Sequence, residues 1–405
     1  MTEHNALQGW WLRVVLTAAM ALPMLIFYAV GTLGPLIVAD LGVPTHWLGW
    51  LITSAFGFAA LLSLWAGPLV NWVGTRRAMA MLFWSTVGAY GLLASLPGFV
   101  GVVLALAACG IAQALANPVT NLLIAERVEP RHKAAVVGLK QSGVQVSALF
   151  AGLLLPTLAV TFGWRMALAS LLIPALVLAF LGPRVAPREH KGKPLSLAVA
   201  RPNGRLALLM SVQLCVGIVL SSFVTFLGVF AAGQGMPAAL IGGLIAGFGV
   251  MGIVARIFLT PLGARMADES WLLLVLLLLS SVALWLTSLA APGSHWPLWA
   301  GALGMGLTAV ATNAIAMSMV LRDPGFGSPA PAAGLLSVGF FGGFALGPPL
   351  FGLVQNGPRG FAYAWLALIG VLLVGCLLSL LLSRVRLRHK STAGVAVESS
   401  LRVVK

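Results

Sequence analysis

The sequence predicts an all-α membrane protein of twelve transmembrane helices, arranged as two six-helix bundles with pseudo-two-fold symmetry. Three observations predict it: the composition, twelve apolar runs long enough to cross a bilayer, and sequence matches between the two halves of the chain. Of the 405 residues, 60% are hydrophobic and only 8% are charged. The mean hydropathy is +1.01, a value that excludes the water-soluble globular classes.

Each apolar run has the length that a spanning helix needs, which is about 20 residues. Continuous runs of this length exclude a transmembrane barrel, whose strands are short and alternate in polarity. The first run is also too long for a cleavable signal peptide, and it leads directly into a second span. The predicted cores are 12–38, 47–69, 78–97, 100–124, 134–161, 165–182, 206–232, 238–262, 271–291, 296–320, 332–355 and 361–383.

The distribution of positive charge predicts the orientation of these spans. The chain has 24 Lys and Arg residues and a net charge of +15. With a cytoplasmic N-terminus, only Arg165 and Arg359 fall in outer loops, and Lys140 and Arg256 fall inside spans, so 24 − 2 − 2 = 20 lie on the inner side. This asymmetry predicts a multi-pass protein of the bacterial inner (plasma) membrane with both termini cytoplasmic. It also explains the basic composition without a nucleic-acid partner.

One long polar segment, from Pro183 to Arg205, divides the twelve runs six and six. The predicted organisation is therefore an N-terminal bundle, a cytoplasmic linker, a C-terminal bundle and a basic cytoplasmic tail. Their residue ranges are 1–183, 184–204, 205–383 and 384–405.

The two predicted bundles match each other in sequence. The triplet ending at Pro44 recurs at Pro237, an offset of 193, and beyond the third run Asn117 corresponds to Asn313 at an offset of 196. Each match is short, but the matches share a register that changes only once, by three residues. Internal repeats of this kind are typical of transporter folds.

The stretch Gly67–Arg77 predicts a tight cytoplasmic turn between the second and third spans. Its pattern is a glycine, a polar residue, a second glycine and two bases, carried by Gly67, Asn71, Gly74, Arg76 and Arg77. The pattern resembles the loop between helices 2 and 3 of major facilitator superfamily transporters. This chain has Asn71 where that family usually has aspartate and Trp72 where it often has a base. A generic cytoplasmic hairpin is the alternative interpretation.

Helices 5 and 11 of that superfamily carry glycine-rich stretches that often contain proline. The stretches Ser147–Pro156 and Gly342–Gly352 of this chain are similar to them. With both features, the resemblance covers nearly the whole chain. It implies a secondary transporter, monomeric, in which two bundles rock around a central cavity lined by helices 1, 4, 7 and 10. Packing of glycines between membrane helices is the alternative explanation of the two stretches.

Two cations lie inside predicted spans. A charged side chain is costly at bilayer depth, so its presence there predicts a functional role. Lys140 is in the fifth span and Arg256 is in the eighth. In the superfamily that the chain resembles, these helices face each other across the two halves. The nine acidic residues all fall at helix ends, in loops or in tails. We therefore expect the two cations to attract an anion, unless Lys140 extends to the inner interface.

Polar side chains of several spans could complete such a site. Asn117 and Asn313 are related by the repeat, although Asn also hydrogen-bonds between membrane helices. Gln141 and Gln145 share a face of the fifth span beside Lys140. The predicted substrate-binding residues are Lys140, Arg256, Asn117, Asn313, Gln141, Gln145, Tyr28, Thr32, Ser221 and Thr225.

These observations predict a secondary active or facilitated transporter of a small anion, most plausibly an organic carboxylate, that works by alternating access. The predicted partners are this small-molecule anion and the lipid bilayer, and a coupling proton stays open. No catalytic residue, metal ligand or cofactor motif is visible, and the three cysteines lack ligand spacing; we therefore predict a protein that is not an enzyme. The alternatives are a multidrug exporter with an apolar pocket and a receptor or structural membrane protein.

Overall fold

The computed structural model describes residues 2–187, 201–266, 268–357 and 360–403. Most of the predicted linker, 188–200, lies outside the described residues, as does Arg359. In the part that is described, the chain is almost entirely helical, apart from one isolated bridge between Ala291 and Ser294. The fold class predicted from the composition and the apolar runs is confirmed.

Fourteen α-helices account for the described chain. In order they are α1 Thr2–Leu41, α2 Leu48–Val73, α3 Thr75–Ser95, α4 Gly98–Arg127, α5 Pro130–Leu153, α6 Leu155–Phe162, α7 Trp164–Ala169, α8 Leu172–Leu181, α9 Gly204–Gly233, α10 Ala238–Arg265, α11 Glu269–Ser288, α12 Trp296–Arg322, α13 Pro329–Gln355 and α14 Gly360–Val403.

Two of the twelve predicted spans are broken, and each break precedes a proline. α5 and α6 meet at an angle of 40° at Leu154, and α7 and α8 are separated by Ser170 and Leu171. Pro156 and Pro174 follow these breaks, and proline removes the amide that would continue the helical hydrogen bonds. By length and composition the described residues contain eleven spanning helices, or twelve when the bent α5–α6 pair is one span.

The ends of the first and last spans differ from the predicted runs. α1 begins at Thr2 rather than near residue 12, and α14 continues to Val403. The segment predicted as a tail, 384–405, is therefore helical as far as Val403. A helix continues past an apolar run when the polar residues that follow are good helix formers, since helix formation does not itself require apolar side chains.

The two halves meet along three pairs of helices: α1 with α9, α2 with α13 and α5 with α10. Glycine permits the closest approach at α5 and α10. A Cβ on Gly152 would lie 2.3 Å from the carbonyl oxygen of Gly242 and 2.6 Å from the amide nitrogen of Ala246. Small residues at a helix crossing let the backbones approach in this way and are typical of membrane helices.

The helix ends form two faces with different charge. We call the ends that carry Arg76, Arg77, Arg127, Arg265 and Arg322 the basic face, and the other ends the opposite face. Gly74, between α2 and α3, has φ +89°, a conformation that glycine adopts without the Cβ clash of other residues. The tight turn predicted on the basic face is present.

Contacts across the two halves close the opposite face. The side chain of Gln355 donates to the Thr45 hydroxyl at 3.2 Å, and the side chains of Asn356 and His46 are hydrogen-bonded at 2.9 Å. Nearer the middle of the bilayer, the Thr53 hydroxyl donates to the carbonyl oxygen of Ala345 at 2.7 Å. These bonds join α2 and the turn before it to α13, so the halves are in contact on this side.

A buried arginine ties three helices together at the basic face of the second half. Arg386 of α14 is only 8% exposed. Its guanidinium pairs with Asp268 at 2.9 Å and Glu269 at 3.0 Å at the start of α11, and with Asp323 after α12 at 3.2 Å. Arg322 adds a bond of 2.6 Å to Glu269. The last span is thus anchored by an ion-pair network rather than by apolar contacts alone.

We expect Arg386→Gln to lower the melting temperature of the detergent-purified protein by several degrees. Removing one partner of a buried ion pair leaves uncompensated charge and costs about 3–5 kcal/mol. The control is Arg384→Gln, which changes an exposed arginine two residues away on the same helix. Equal melting temperatures for the two variants would contradict a stabilising role of this network.

We expect acid to weaken the same network through Asp268. Burial opposes ionisation of this carboxyl, but hydrogen bonds from Ser383 and Ser270 and the charge of Arg386 outweigh it and lower its pKa. A carboxyl with a lowered folded pKa stabilises the fold above its unfolded value, roughly pH 4, and this stabilisation is lost as the pH falls further. Thermal melting between about pH 6 and pH 3 should therefore depend less on pH in Asp268→Asn than in the parent. Identical pH dependence in both proteins would exclude this contribution.

Candidate functional site

A central cavity lies between the two halves, and both contribute to its walls. Its volume is about 70 Å³; on this measure one water needs roughly 10–15 Å³, so there is room for several waters or one small solute. The lining residues come from α1, α4 and α5 of the first half and from α9, α10, α12 and α13 of the second. Six of these seven helices form pairs that the repeat relates, namely α1 with α9, α4 with α12 and α5 with α13.

Four predicted polar residues lie at a similar depth in this cavity. Asn117 is ten residues before the end of α4, Arg256 and Asn313 are nine residues before the ends of α10 and α12, and Gln141 is eleven residues after the start of α5. At 1.5 Å per residue, each is about 14–17 Å from its helix end on the basic face. All four line the cavity.

Arg256 supplies the only charged side chain among the described lining residues. It is partly exposed, and its Nη1 donates to the backbone oxygen of Gln141 and, at 3.2 Å, to the side-chain oxygen of the same residue. Its Nε has no hydrogen-bond partner in the described chain. None of the ion pairs found among the described residues includes Arg256.

Lys140 is closer to helix α4 than to the cavity. Its side chain is 0% exposed, and Nζ donates to Thr120 at 2.7 Å, Asn121 at 2.6 Å and Asn117 at 3.5 Å. All three acceptors are neutral oxygens of α4. The ammonium therefore points into the protein and does not extend to the bilayer interface, which was the alternative from the sequence.

Amide side chains connect the two cations. Gln141 accepts from Arg256 and donates from Nε2 to the Asn117 oxygen at 3.3 Å, and Lys140 donates to the same oxygen at 3.5 Å. The connection runs from α10 of the second half through α5 to α4 of the first half. It joins the halves by hydrogen bonds through neutral groups, with no carboxylate among the described participants.

Gln145 lies one turn deeper than Gln141 on α5 and fits because α10 has a glycine beside it. A Cβ on Gly252 would lie 2.6 Å from the Gln145 Cγ. The Gln145 amide donates to the Tyr28 hydroxyl at 3.5 Å, while its oxygen is buried without a partner in the described chain. Both Gln145 and Tyr28 line the cavity, as predicted.

Four of the predicted residues are not among the lining residues of the cavity. Lys140 is one, for the reason given above. The other three are Thr32, Ser221 and Thr225, which are buried and whose hydroxyls donate to carbonyl oxygens one turn earlier in their own helices, at 2.6–2.9 Å. A hydroxyl that donates to a carbonyl oxygen of its own helix has a hydrogen-bond acceptor even in an apolar environment.

An apolar wall that the sequence analysis did not predict faces the polar groups. It includes Phe340, Phe341 and Phe344 of α13, with Phe27 of α1 and Phe248 of α10. Phe344 lies 5.2 Å from Phe27 and 4.7 Å from Phe340 between ring centroids. Aromatic residues also lie on the outside of the bundle, as Trp84 and Phe180 do, so only the tertiary contacts distinguish those that line a cavity.

The predicted loop motif lies away from the cavity, on the basic face. Gly67 and Asn71 are in the last turns of α2, Gly74 forms the turn, and Arg76 and Arg77 begin α3. Beside them the Thr75 hydroxyl bonds both oxygens of Glu126, at 3.1 Å each. This places a carboxylate of α4 at the start of α3.

The fold and this arrangement agree with a comparison against known families. The profile described as Major Facilitator Superfamily matches residues 15–328, which is more than three quarters of the chain.

The chain belongs to the Major Facilitator Superfamily.

Three proteins to which this chain is similar are transporters by name. Human (Homo sapiens) monocarboxylate transporter 11 is 30% identical over 268 residues, which are 60% of this chain and 55% of the human protein. The match thus spans about half of that relative. A bacterial homologue of the human lysosomal transporter Spinster, solved in an inward-facing and occupied conformation, has a TM-score of 0.70 at 16% identity, covering 93% of this chain and 97% of that one.

A human structure shares the fold as well. The human organic anion transporter MFSD10 (TETRAN) has a TM-score of 0.69 at 17% identity, over 91% of this chain and 99% of that chain. At these identities the solved structures show that the fold is shared. The family match and the spanning helices identify this protein as a multi-pass membrane protein of the superfamily.

We expect a cysteine at the cavity to react faster with an anionic than with a cationic methanethiosulfonate reagent. Asn313→Cys places a thiol in the cavity near Arg256, whose field attracts anions. The background replaces the buried Cys109, Cys215 and Cys376 with alanine, and the ratio of the two rates is measured with and without Arg256→Gln.

Thr225→Cys, at a position that is 0% exposed, is the control and should react slowly with both reagents. The preference for the anionic reagent should disappear in the Arg256→Gln background. Each rate is divided by the rate of the same reagent with a free thiol in solution, because the thiolate itself attracts the cationic reagent. Equal normalised rates for the two reagents in the parent background would contradict an electropositive cavity.

Proposed function

We propose that this protein is a secondary active or facilitated transporter of a small organic carboxylate, which it moves by alternating access. Arg256 carries the proposal. It is a permanently charged group in a cavity inside the membrane, and the described residues provide no carboxylate for it. A charge at this depth is costly unless it is paired, and a carboxylate substrate would supply the opposite charge.

The guanidinium has a buried donor that a ligand carboxylate would satisfy. Nη1 is occupied by Gln141, whereas Nε is buried and has no hydrogen-bond partner among the described residues. A buried donor without a partner is costly, and carboxylates bind arginine with two parallel hydrogen bonds. Asn117 and Asn313, at the same depth on opposite halves, would orient the ligand from either side.

Lys140 has a supporting role in this proposal. Its three contacts are to neutral oxygens of α4, so its charge is balanced by no described acid. Through Asn117 and Gln141 it is two hydrogen-bonded side chains away from Arg256. The field of the ammonium would add to the attraction of an anion in the cavity, because Coulomb interactions are weakly screened in a low-dielectric interior.

The position of the cavity supports the alternating-access part of the proposal. The halves are in contact on the opposite face through Thr45, His46, Gln355 and Asn356, and the cavity lining extends towards the basic face at Met317. In our proposal this face is cytoplasmic, because arginine and lysine are enriched on the cytoplasmic side, and the structure corresponds to an inward-facing state. Rocking of the bundles 1–183 and 205–383 as rigid bodies would open the opposite face.

The relatives support the same substrate class. Human monocarboxylate transporter 11 and the human organic anion transporter MFSD10 are described by their names as carriers of monocarboxylates and organic anions. The proposal includes a functional monomer in the bacterial inner membrane, and a proton as the coupling ion of active transport.

We expect Arg256→Gln to raise the KM for carboxylate uptake into proteoliposomes by about ten- to a hundredfold, the loss associated with a charged hydrogen bond. Arg256→Lys should fall between the parent and Arg256→Gln, because lysine keeps the charge but lacks the planar fork. The assay uses radiolabelled acetate and benzoate with an imposed proton gradient or none.

Arg265→Gln is the matched control, since Arg265 is exposed at the end of the same helix, and its uptake should equal that of the parent. Unchanged carboxylate uptake in Arg256→Gln would contradict the proposal. Transport of lipophilic cations in place of carboxylates would favour the exporter alternative instead.

A further inference from the structure

We infer that the substrate is a monocarboxylate carrying a ring-sized apolar group, rather than a dicarboxylate or a small inorganic anion. This inference rests on the proposed function and specifies its substrate class. It is drawn from the division of the cavity into a wall with a single cation and a wall of aromatic side chains.

The charge count of the lining favours one carboxylate. Arg256 is the one charged side chain among the described lining residues. Lys140 could be considered a second site, but its side chain is 0% exposed and its ammonium already has three oxygen partners. A second carboxylate in the cavity would therefore give up its hydration and meet only neutral amides or aromatic rings, which is unfavourable.

The aromatic wall favours an apolar group on the same molecule. Phe340 and Phe341 are eleven and twelve residues after the start of α13, so they lie near the depth of Arg256 but on another helix. Phe344 and Phe248 are about 23–26 Å from their helix ends on the basic face, deeper than the polar groups. A ligand with its carboxylate on Arg256 would direct its other end towards these rings.

The rings are arranged as a continuous surface. Phe27, Phe340, Phe341 and Phe344, which all line the cavity, are linked by centroid distances of 4.7–6.0 Å. The faces of aromatic rings are electronegative and repel a carboxylate, whereas they accept a further ring in an offset or edge contact. A small hydrophilic anion such as acetate or phosphate would make no apolar contact with this wall.

The test measures binding to the purified full-length protein by calorimetry, with acetate, benzoate, cyclohexanecarboxylate, phthalate and benzamide as ligands. Benzoate and cyclohexanecarboxylate should bind about tenfold or more tightly than acetate, since each buried methylene-sized group contributes a factor of about four. Phthalate, with a second carboxylate on the same ring, and benzamide, without a charge, should each bind at least about tenfold more weakly than benzoate.

Variants of the aromatic wall connect this preference to the structure. Phe340→Leu and Phe344→Leu should each reduce the ratio of the acetate Kd to the benzoate Kd several-fold. Phe180→Leu is the control, because Phe180 is 60% exposed on the outside of the bundle and contacts Trp84 instead of the cavity; its ratio should equal that of the parent. Melting temperatures measured without ligand show whether each variant is folded. Because two positions of the wall are changed separately, the test stands even if one variant does not fold.

The outcomes separate the two proposals. Equal Kd values for acetate and benzoate, or tighter binding of phthalate than of benzoate, would overturn this inference while carboxylate transport through Arg256 stands. Binding of no carboxylate, or benzoate binding that Arg256→Gln leaves unchanged, would overturn the proposed function and this inference with it.

Discussion

A positive charge inside the hydrocarbon region without an opposite charge is the constraint on which the rest of this structure depends. The chain places the guanidinium of Arg256 in a cavity between its two halves, and the acidic residues with described partners are at the helix ends. Glu126 is bonded by Thr75, Asp40 accepts from the Trp164 indole at 3.0 Å, and Asp268 pairs with Arg386. Acids and the cavity cation are thus separated by about half a bilayer, and in the proposed function the substrate supplies the negative charge.

The amides of the site hold this charge without neutralising it. Gln141 is bonded to Arg256 and to Asn117, and Asn117 is bonded to Lys140. An aspartate at Asn117 would form an ion pair with either cation and would compete with an anionic ligand. Neutral amides instead fix the side-chain geometry and leave the net charge of the site positive. Because Gln141 and Arg256 belong to different halves, movement of one bundle against the other would alter the same contacts that hold the guanidinium.

The packing between the halves would let such a site be accessible from one side, as the proposed alternating access requires. At α5 and α10 the backbones touch at Gly152 and Gly242, and on the opposite face Gly49 would meet the Pro348 backbone at 2.7 Å if it carried a Cβ. These contacts are between backbones, depend on glycine, and lie away from the charged groups. At the basic face of the second half, the network around Arg386 stays within one bundle, so it stiffens that bundle without joining it to the other.

The sequence by itself determined the fold class, the approximate limits of the spans and the basic face, and it reduced the candidates for a cavity cation to Lys140 and Arg256. Hydropathy, chain length and the positions of charges are local properties, and the bilayer makes them decisive because every backbone polar group must be satisfied within a helix. Only the tertiary structure decided that Lys140 faces α4, that the hydroxyls of Ser221 and Thr225 bond within their own helix, and that Phe340 completes an apolar wall. Which partner a side chain meets depends on helix rotation and crossing, and these follow from contacts between distant segments that no local pattern records.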